Sequence, residues 1–108
     1  MKYNYYEAVK NDALEYIKEN NLQDKSQDEL YDELFLADSV TGNASGSYYC
    51  NTYKAEEALV HNLDLLKEAL EEFGGDFNDA LERGAEYCDV TIRCYVLGQV
   101  LADVLEEV

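Results

Sequence analysis

The stretch from Ala85 to about Glu106 constrains the fold more than any other part of the sequence. Its apolar residues recur every three or four positions, as on one face of an α-helix, and further apolar residues occupy the other sides. A helix that is apolar nearly all round is buried against neighbours on several faces. The sequence therefore predicts a central helix whose main stripe is Val90, Cys94, Leu97, Leu101, Val104 and Val108.

Two helical patterns lie near the start of the chain. The first covers about Tyr5 to Glu19, and the Asn20-Asn21 pair favours its end because asparagine tolerates the left-handed conformation. The second begins after Ser26, which forms a capping box with Glu29. The residues expected to face the core are Tyr6, Val9, Ala13, Tyr16 and Ile17 in the first helix and Leu30, Leu34 and Ala37 in the second.

Two more helices are predicted after residue 51. One covers about Thr52 to Phe73 and stops at Gly74-Gly75, and a short one follows from its cap Asp76 to Arg83. The longer of the two has an apolar stripe at helical spacing. That stripe consists of Ala55, Leu59, Leu63, Leu66, Leu70 and Phe73.

The segment from Asp38 to Asn51 has a different composition. Two glycines and several small polar residues predict a loop, with a short extended piece at residues 47–50 as an option. The chain contains no proline, which favours uninterrupted helices elsewhere. We therefore expect an all-α fold, with residues 1–108 as a single small domain of four to five helices and one long Gly/Ser-rich loop.

The cellular compartment is predicted from targeting segments, membrane spans and cysteine usage. The first residues contain no apolar run typical of a signal peptide, and no stretch is long and apolar enough for a membrane span. Three cysteines leave one outside any pairing, which favours free thiols in a reducing environment. These observations predict a cytoplasmic protein without a membrane partner.

Negative charge dominates the composition. The formal net charge of the chain is −16. Residues 1–25 are nearly balanced, whereas residues 26–51 carry five acids and no base. Such a chain repels nucleic acid and attracts basic protein surfaces. The alternative is that the charge serves solubility alone, since a run of charge is usually a solvated face.

The spacing of the acids favours a role in binding. Asp28 with Asp32, and Glu68 with Asp64 or Glu72, are like-charge pairs four residues apart. Each such pair costs a helix a few tenths of a kcal/mol. Rows of this kind can imitate the charge of a nucleic-acid backbone. The acids predicted to bind a partner are Asp28, Glu29, Asp32, Glu33, Asp64, Glu68, Glu71, Glu72, Asp76 and Asp79.

The loop is the second candidate for partner contact. Its Gly42–Gly46 segment lacks the Lys-Ser or Lys-Thr pair that completes a phosphate-binding loop. A turn presented to a partner and a plain connector both remain open. Ten tyrosines are many for this length, and tyrosine is enriched at interfaces. The candidate contacts of the loop are Thr41, Asn43, Ser45, Tyr48 and Tyr49.

Metal binding and catalysis are disfavoured by the pattern. Cys88 and Cys94 are six residues apart, which is not the spacing of a zinc site. His61 is the only histidine, and its pairing with Cys50 as base and nucleophile has no support in the spacing. We therefore expect no cofactor, no metal and no enzymatic activity.

Asp89 and Arg93 lie four residues apart on the most apolar helix, which is a favourable order and spacing for an ion pair. A buried arginine needs a partner. We interpret both residues as structural, with Arg93 tying the loop through its carbonyls or through Asp38. An anchor in a binding pocket is the alternative.

Two motifs carry a resemblance. The loop sequence Asp-Ser-Val-Thr-Gly-Asn-Ala-Ser-Gly-Ser-Tyr and the helix sequence Asp-Val-Thr-Ile-Arg-Cys-Tyr resemble those of a group of short acidic proteins from bacteriophages and mobile elements of Gram-positive bacteria. That group implies no activity and no site residue, but it places the protein in the cytoplasm of a bacterial host cell. In size and acidity alone, the chain is also similar to anti-CRISPR and anti-restriction proteins.

Two functional hypotheses follow from the sequence. In the first, the protein inhibits a basic host nuclease, such as a CRISPR effector, by occupying its nucleic-acid-binding surface, without binding nucleic acid itself. In the second, it is a phage-borne interaction module or homodimer that uses the tyrosine-rich loop. Reversing the charge of the acidic rows would disrupt the first and leave the second intact.

Overall fold

A computed structural model describes residues 4–41 and 61–107. Within these ranges the chain is entirely α-helical apart from turns and short connections. Five helices have seven residues or more, and one is a single four-residue turn. They are α1 (Tyr5–Glu19), α2 (Gln27–Phe35), α3 (Asp38–Thr41), α4 (Leu63–Phe73), α5 (Phe77–Arg83) and α6 (Ala85–Glu107). The predicted all-α fold is confirmed.

Side-chain and glycine caps set the helix ends where the sequence predicted them. The Ser26 hydroxyl accepts from the Glu29 amide at 3.3 Å, and the Glu29 carboxylate accepts from the Ser26 amide, which completes the capping box at the start of α2. Gly74 ends α4 in the left-handed conformation, with φ of +79°. The Asp76 carboxylate accepts from the Asp79 amide at 2.9 Å and opens α5.

Helix α6 forms the centre of the molecule. Helices α1 to α5 all pack against it. Its side chains are buried on several sides, including Ile92, Val96, Leu97, Val100 and Leu101. Each fully buried aliphatic side chain of this size contributes roughly 1.5–3 kcal/mol. The prediction of a central helix is confirmed.

Helix α1 packs on α6 through a stripe that the sequence placed almost correctly. Val9, Ala13 and Ile17 are buried as predicted. Tyr5, which was not predicted in this stripe, is also buried, whereas Tyr6 is only partly buried against the core. The Tyr5 hydroxyl donates to the Asp89 carboxylate of α6 at 2.5 Å, so the burial of this tyrosine depends on a partner 84 residues away.

Three predictions of local structure are wrong. The helix predicted from about Thr52 to Phe73 is not continuous, because residues 61 and 62 form a turn and α4 begins at Leu63. The predicted loop does not begin at Asp38, because residues 38–41 form the helical turn α3. Phe73, expected in the core, is 49% exposed at the end of α4. The helical spacing places Phe73 on the apolar stripe, but Phe73 is the last residue of α4, and its ring meets Tyr95 edge-on and is otherwise half uncovered. The remaining loop residues and the predicted start of the third helix lie outside the described residues.

None of the helices in the described ranges combines the length and the apolar character needed to cross a membrane.

Candidate functional site

Two rows of exposed carboxylates follow α2 and α4. All ten acids that the sequence predicted as partner contacts have exposed side chains. Seven of them form no ion pair with another described residue: Asp28, Asp32, Glu33, Asp64, Glu68, Glu71 and Glu72. Lys67, the one base in α4, places its ammonium 5.0 Å from the centre of the Phe77 ring. The negative charge of the rows is therefore largely uncompensated by the described part of the protein.

The other three predicted acids have local structural partners. Glu29 belongs to the capping box, and the hydrogen bonds from Ser26 hold the pKa of its carboxyl below the usual value, with a smaller contribution from Lys25 at 3.8 Å. Asp76 caps α5, and Asp79 forms an ion pair with Arg83 at 2.9 Å. These carboxylates are exposed, but neighbouring groups of the same chain compensate part of their negative charge.

A groove lined with aromatic rings lies between the two acidic rows. Its floor is α6 and its two walls are α2 and α4. It consists of two adjoining depressions of about 490 and 310 Å³, which share Phe73 and Cys94. We refer to it as the aromatic groove, and its main lining residues are Tyr31, Phe35, Phe73, Tyr87, Tyr95 and Gly98.

The rings of the aromatic groove are fixed in place but remain accessible. Tyr31 and Phe35 stack on α2 with ring centres 5.9 Å apart, and the Tyr31 hydroxyl donates to the Cys94 carbonyl at 3.4 Å. Phe73 meets Tyr95 edge-on at 6.4 Å. Phe73 and Tyr87 are nevertheless 49% and 41% exposed. Apolar rings held open to solvent are typical of a binding surface.

Helical spacing places the acids beside this groove. Asp28 precedes Tyr31 by three residues and Asp32 precedes Phe35 by three, so these pairs are neighbours on α2. On α4, Glu72 lines the aromatic groove directly, and Glu68 lies one turn before it on the same side. The apolar surface is thus bordered by carboxylates on both walls.

A second depression lies on the other side of α2. Its volume is about 380 Å³, and Lys25 and three carboxylates contribute to its lining. These carboxylates belong to Glu29, Asp32 and Glu33. The α2 row therefore faces solvent on two sides and can meet cationic groups from either direction.

Asp89 and Arg93 are buried in the interior, away from the acidic rows. Arg93 donates through Nε to the Val40 carbonyl at 3.0 Å and through one terminal nitrogen to the Asp12 carboxylate at 2.8 Å. Val40 lies in the segment that the sequence predicted Arg93 would tie. One acidic partner is Asp12 of α1, which periodicity could not reveal because 81 residues separate the two. The side chain of Asp38, the acid that the sequence proposed, lies outside the described residues.

Thr41 is not available to a partner. Its side chain is fully buried, and its hydroxyl lies 3.1 Å from the Phe35 carbonyl, to which it donates. The prediction of Thr41 as a contact of the loop is therefore corrected, because α3 turns this residue inward. The other loop candidates, Asn43, Ser45, Tyr48 and Tyr49, lie outside the described residues.

Asn62 is a buried polar residue. It is 1% exposed, and neither its amide nitrogen nor its amide oxygen has a hydrogen-bond partner among the described residues. A depression of about 500 Å³ lies beside it, next to Tyr6 and Gln99. The polar atoms of Asn62 have no contact with solvent, so a molecule in that depression could not reach them.

The histidine and cysteine side chains have different surroundings. His61 is exposed, whereas Cys88 and Cys94 are buried and form no disulfide with another described residue. Burial raises the pKa of the Cys94 thiol to about 11, although the nearby Arg93 acts in the opposite direction. In residues 4–41 and 61–107, no cluster of three or more histidine, cysteine or acidic side chains could hold a metal ion. Cys50 lies outside the described residues.

No protein-family model, curated protein or solved structure matches the chain. The function of the protein must therefore be inferred from its own residues. The sequence identified the acidic rows through their spacing but missed the aromatic groove between them. The available signal was the pair Tyr31 and Phe35, four residues apart and beside the buried stripe of α2.

Proposed function

We propose that the protein binds a basic nucleic-acid-binding surface of another protein and inhibits it by occupying that surface. The target class is a nuclease of the bacterial host, such as a CRISPR or restriction effector. The observation that supports this proposal is the pair of acidic rows on α2 and α4, seven of whose carboxylates lack a described ion-pair partner.

The rows are better explained by binding than by solubility. Solubility needs net charge but no particular spacing, and it is compatible with bases placed between acids. Helix α1 has that mixed arrangement, with Glu7, Glu15 and Glu19 accompanied by Lys10 and Lys18. Helix α4 instead places three acids, Asp64, Glu68 and Glu72, in one row at intervals of four residues, and both of its like-charge pairs cost stability. Helix α1 has a single such pair, Glu15 and Glu19, with Lys18 beside it. A cost of this kind is expected where charge serves recognition.

The matched arrangement of α1 and α4 provides the test. The variant Asp64→Lys/Glu68→Lys/Glu72→Lys reverses three exposed acids of α4. The variant Glu7→Lys/Glu15→Lys/Glu19→Lys reverses three exposed acids of α1 and changes the net charge by the same amount. Cleavage of DNA by purified, guide-loaded CRISPR effectors and by restriction nucleases is measured with each protein added.

We expect the wild type and the α1 variant to inhibit an effector and the α4 variant to lose inhibition. The inhibition should weaken steeply between about 50 and 500 mM salt, because the exposed charges are then screened. Equal inhibition by the wild type and the α4 variant would contradict the proposal. A role of the tyrosine-rich loop would appear instead as a loss of activity in Tyr48→Ala with no effect of either charge reversal.

A further inference from the structure

The aromatic groove has a shape and a border that indicate a particular kind of occupant. Along α6 its lining extends from Tyr87 to Ala102. At 1.5 Å per residue this is about 22 Å, the length of a helix of about 15 residues. The two walls, α2 and α4, leave the intervening side of α6 uncovered by the other helices of the described ranges, as in proteins that accept a helix in a groove.

The floor of the aromatic groove has no side chain at Gly98, the position where an incoming helix would cross α6. Gly98 lines the groove, and among the described residues a methyl group added there would touch only the Tyr31 ring, at 3.9 Å. Glycine inside a helix is less favourable than alanine, because its backbone loses more conformational freedom on folding. Its presence on the exposed side of the central helix is explained if a partner backbone approaches closely at this point.

The exposed rings of the aromatic groove and the acids at its border indicate which side chains an occupant would need. Phe73 and Tyr87 offer half-exposed rings that would be buried by apolar side chains. Glu72 on one wall and Asp32, beside Phe35, on the other would meet cationic side chains at the rim. A second copy of this chain would instead bring its own charge of −16 to the same border, which opposes self-association.

We infer that the aromatic groove binds an amphipathic helix of the partner protein, with apolar side chains facing α6 and lysine or arginine facing the acidic rows. The inference rests on the proposed function in one respect, namely that the partner is basic. It adds that recognition includes an apolar, shape-dependent part, which a purely electrostatic mimic of nucleic acid would lack.

The test uses a synthetic peptide of about 15 leucines and lysines, with leucine at the spacing of one helical face. A scrambled peptide of the same composition has no apolar face. The protein variant Phe73→Ser/Tyr87→Ser removes the two most exposed rings of the groove, and Leu14→Ser is its control, because Leu14 is also 41% exposed but lies on α1. Binding is measured by fluorescence anisotropy at 150 and 500 mM salt.

We expect the patterned peptide to bind the wild type and Leu14→Ser alike and to bind the groove variant at least tenfold more weakly. The scrambled peptide should bind more weakly than the patterned one by a similar factor. Circular dichroism and thermal unfolding of each variant establish that the fold is retained. Should Phe73→Ser/Tyr87→Ser lose its fold, the single variant Tyr87→Ser replaces it, with an expected loss of about threefold.

Other outcomes would overturn the inference. Equal binding of both peptides, or equal binding by the wild type and the groove variant, would leave no role for the aromatic groove. A wild-type mass of two chains that falls to one in the groove variant would identify a second copy as the occupant. The nuclease assay separates the two proposals: loss of inhibition in the α4 charge variant but not in the groove variant supports the proposed function and rejects this extension of it.

Discussion

The Arg93 guanidinium donates through Nε to the backbone carbonyl of Val40, a residue 53 positions earlier in the chain. The terminal nitrogen that bonds Asp12 also donates to this carbonyl. Val40 lies in the last turn of α3, where carbonyl groups lack partners within the helix. Arg93 therefore completes the hydrogen bonding of α3 and joins α1, α3 and α6 at one point.

Arg93→Lys should destabilise the protein by about 3 kcal/mol. Lysine keeps the charge but lacks the planar fork that serves the Val40 carbonyl and Asp12 together, and it leaves a buried ionic group poorly paired. Urea unfolding followed by circular dichroism measures the change. Arg83→Lys is the control, because the Arg83–Asp79 pair is exposed and should tolerate lysine. Equal effects of the two substitutions would contradict this account.

Glu68→Lys should stabilise the protein at low salt by roughly 0.4–1 kcal/mol. The substitution converts two repulsive pairs, with Asp64 and Glu72, into two attractive ones. Glu68→Gln removes the repulsion only and should yield about half the gain. Both gains should shrink in 1 M salt, where exposed charges are screened. A loss of stability in Glu68→Lys at low salt would show that the acids of α4 are not in conflict.

Asn62→Leu should raise the free energy of unfolding by about 1 kcal/mol. Asn62 starts α4 without a side-chain cap, and both its polar side-chain atoms are buried without a partner among the described residues. A buried polar group in that state costs about 1–3 kcal/mol. Asn62→Asp, which adds a charge at the same position, should destabilise. Unfolding of Asn62→Leu at a lower denaturant concentration than the wild type would refute the prediction.

Stability should fall as the pH rises from about 9 to 11. Burial raises the pKa of the Cys94 thiol from 9.0 to about 11, so the folded state holds this proton to higher pH than the unfolded state does. The pKa of Tyr31 is also raised, mainly by burial, and acts in the same direction at higher pH. The denaturation midpoint of Cys94→Ala should decline less over this interval than that of the wild type. Parallel declines would exclude the Cys94 contribution.

Gly98→Ala should make the isolated protein more stable by about 0.5–1 kcal/mol. The added methyl group has room, since the Tyr31 ring is the one neighbour within 4 Å in the described part of the chain, and alanine favours the helix. Thermal unfolding measures the gain. Gly74→Ala is the contrasting variant and should destabilise, because Gly74 has a φ of +79°. A destabilised Gly98→Ala would mean that the floor of the aromatic groove is already tightly packed.

Local signals predicted the elements of this fold well. The capping box at Ser26, the glycine stop at Gly74 and the cap Asp76 depend on residues within a few positions of each other, and all three occur in the structure. The apolar residues of α6 likewise recur every three or four positions within the helix itself. Such features could be read from sequence because their physical causes lie within one or two helical turns.

Features that depend on contacts between distant helices escaped prediction. The burial of Tyr5 requires Asp89, and the role of Arg93 requires Asp12 and Val40. The exposure of Phe73 depends on where α4 ends relative to α6. For the candidate site, the sequence yielded the acids through their spacing, but the groove between them exists only once α2 and α4 lie on either side of α6.

The central position of α6 also determines the order in which the protein can fold. Residues 85–107 are synthesised after all the other described helices, yet each of those helices packs against them. Until they leave the ribosome, α1 to α5 lack their main packing surface, and short helices without tertiary packing are marginal in water. The acid-rich chain made first should thus remain soluble and unfolded, and then collapse around α6 in a single late step.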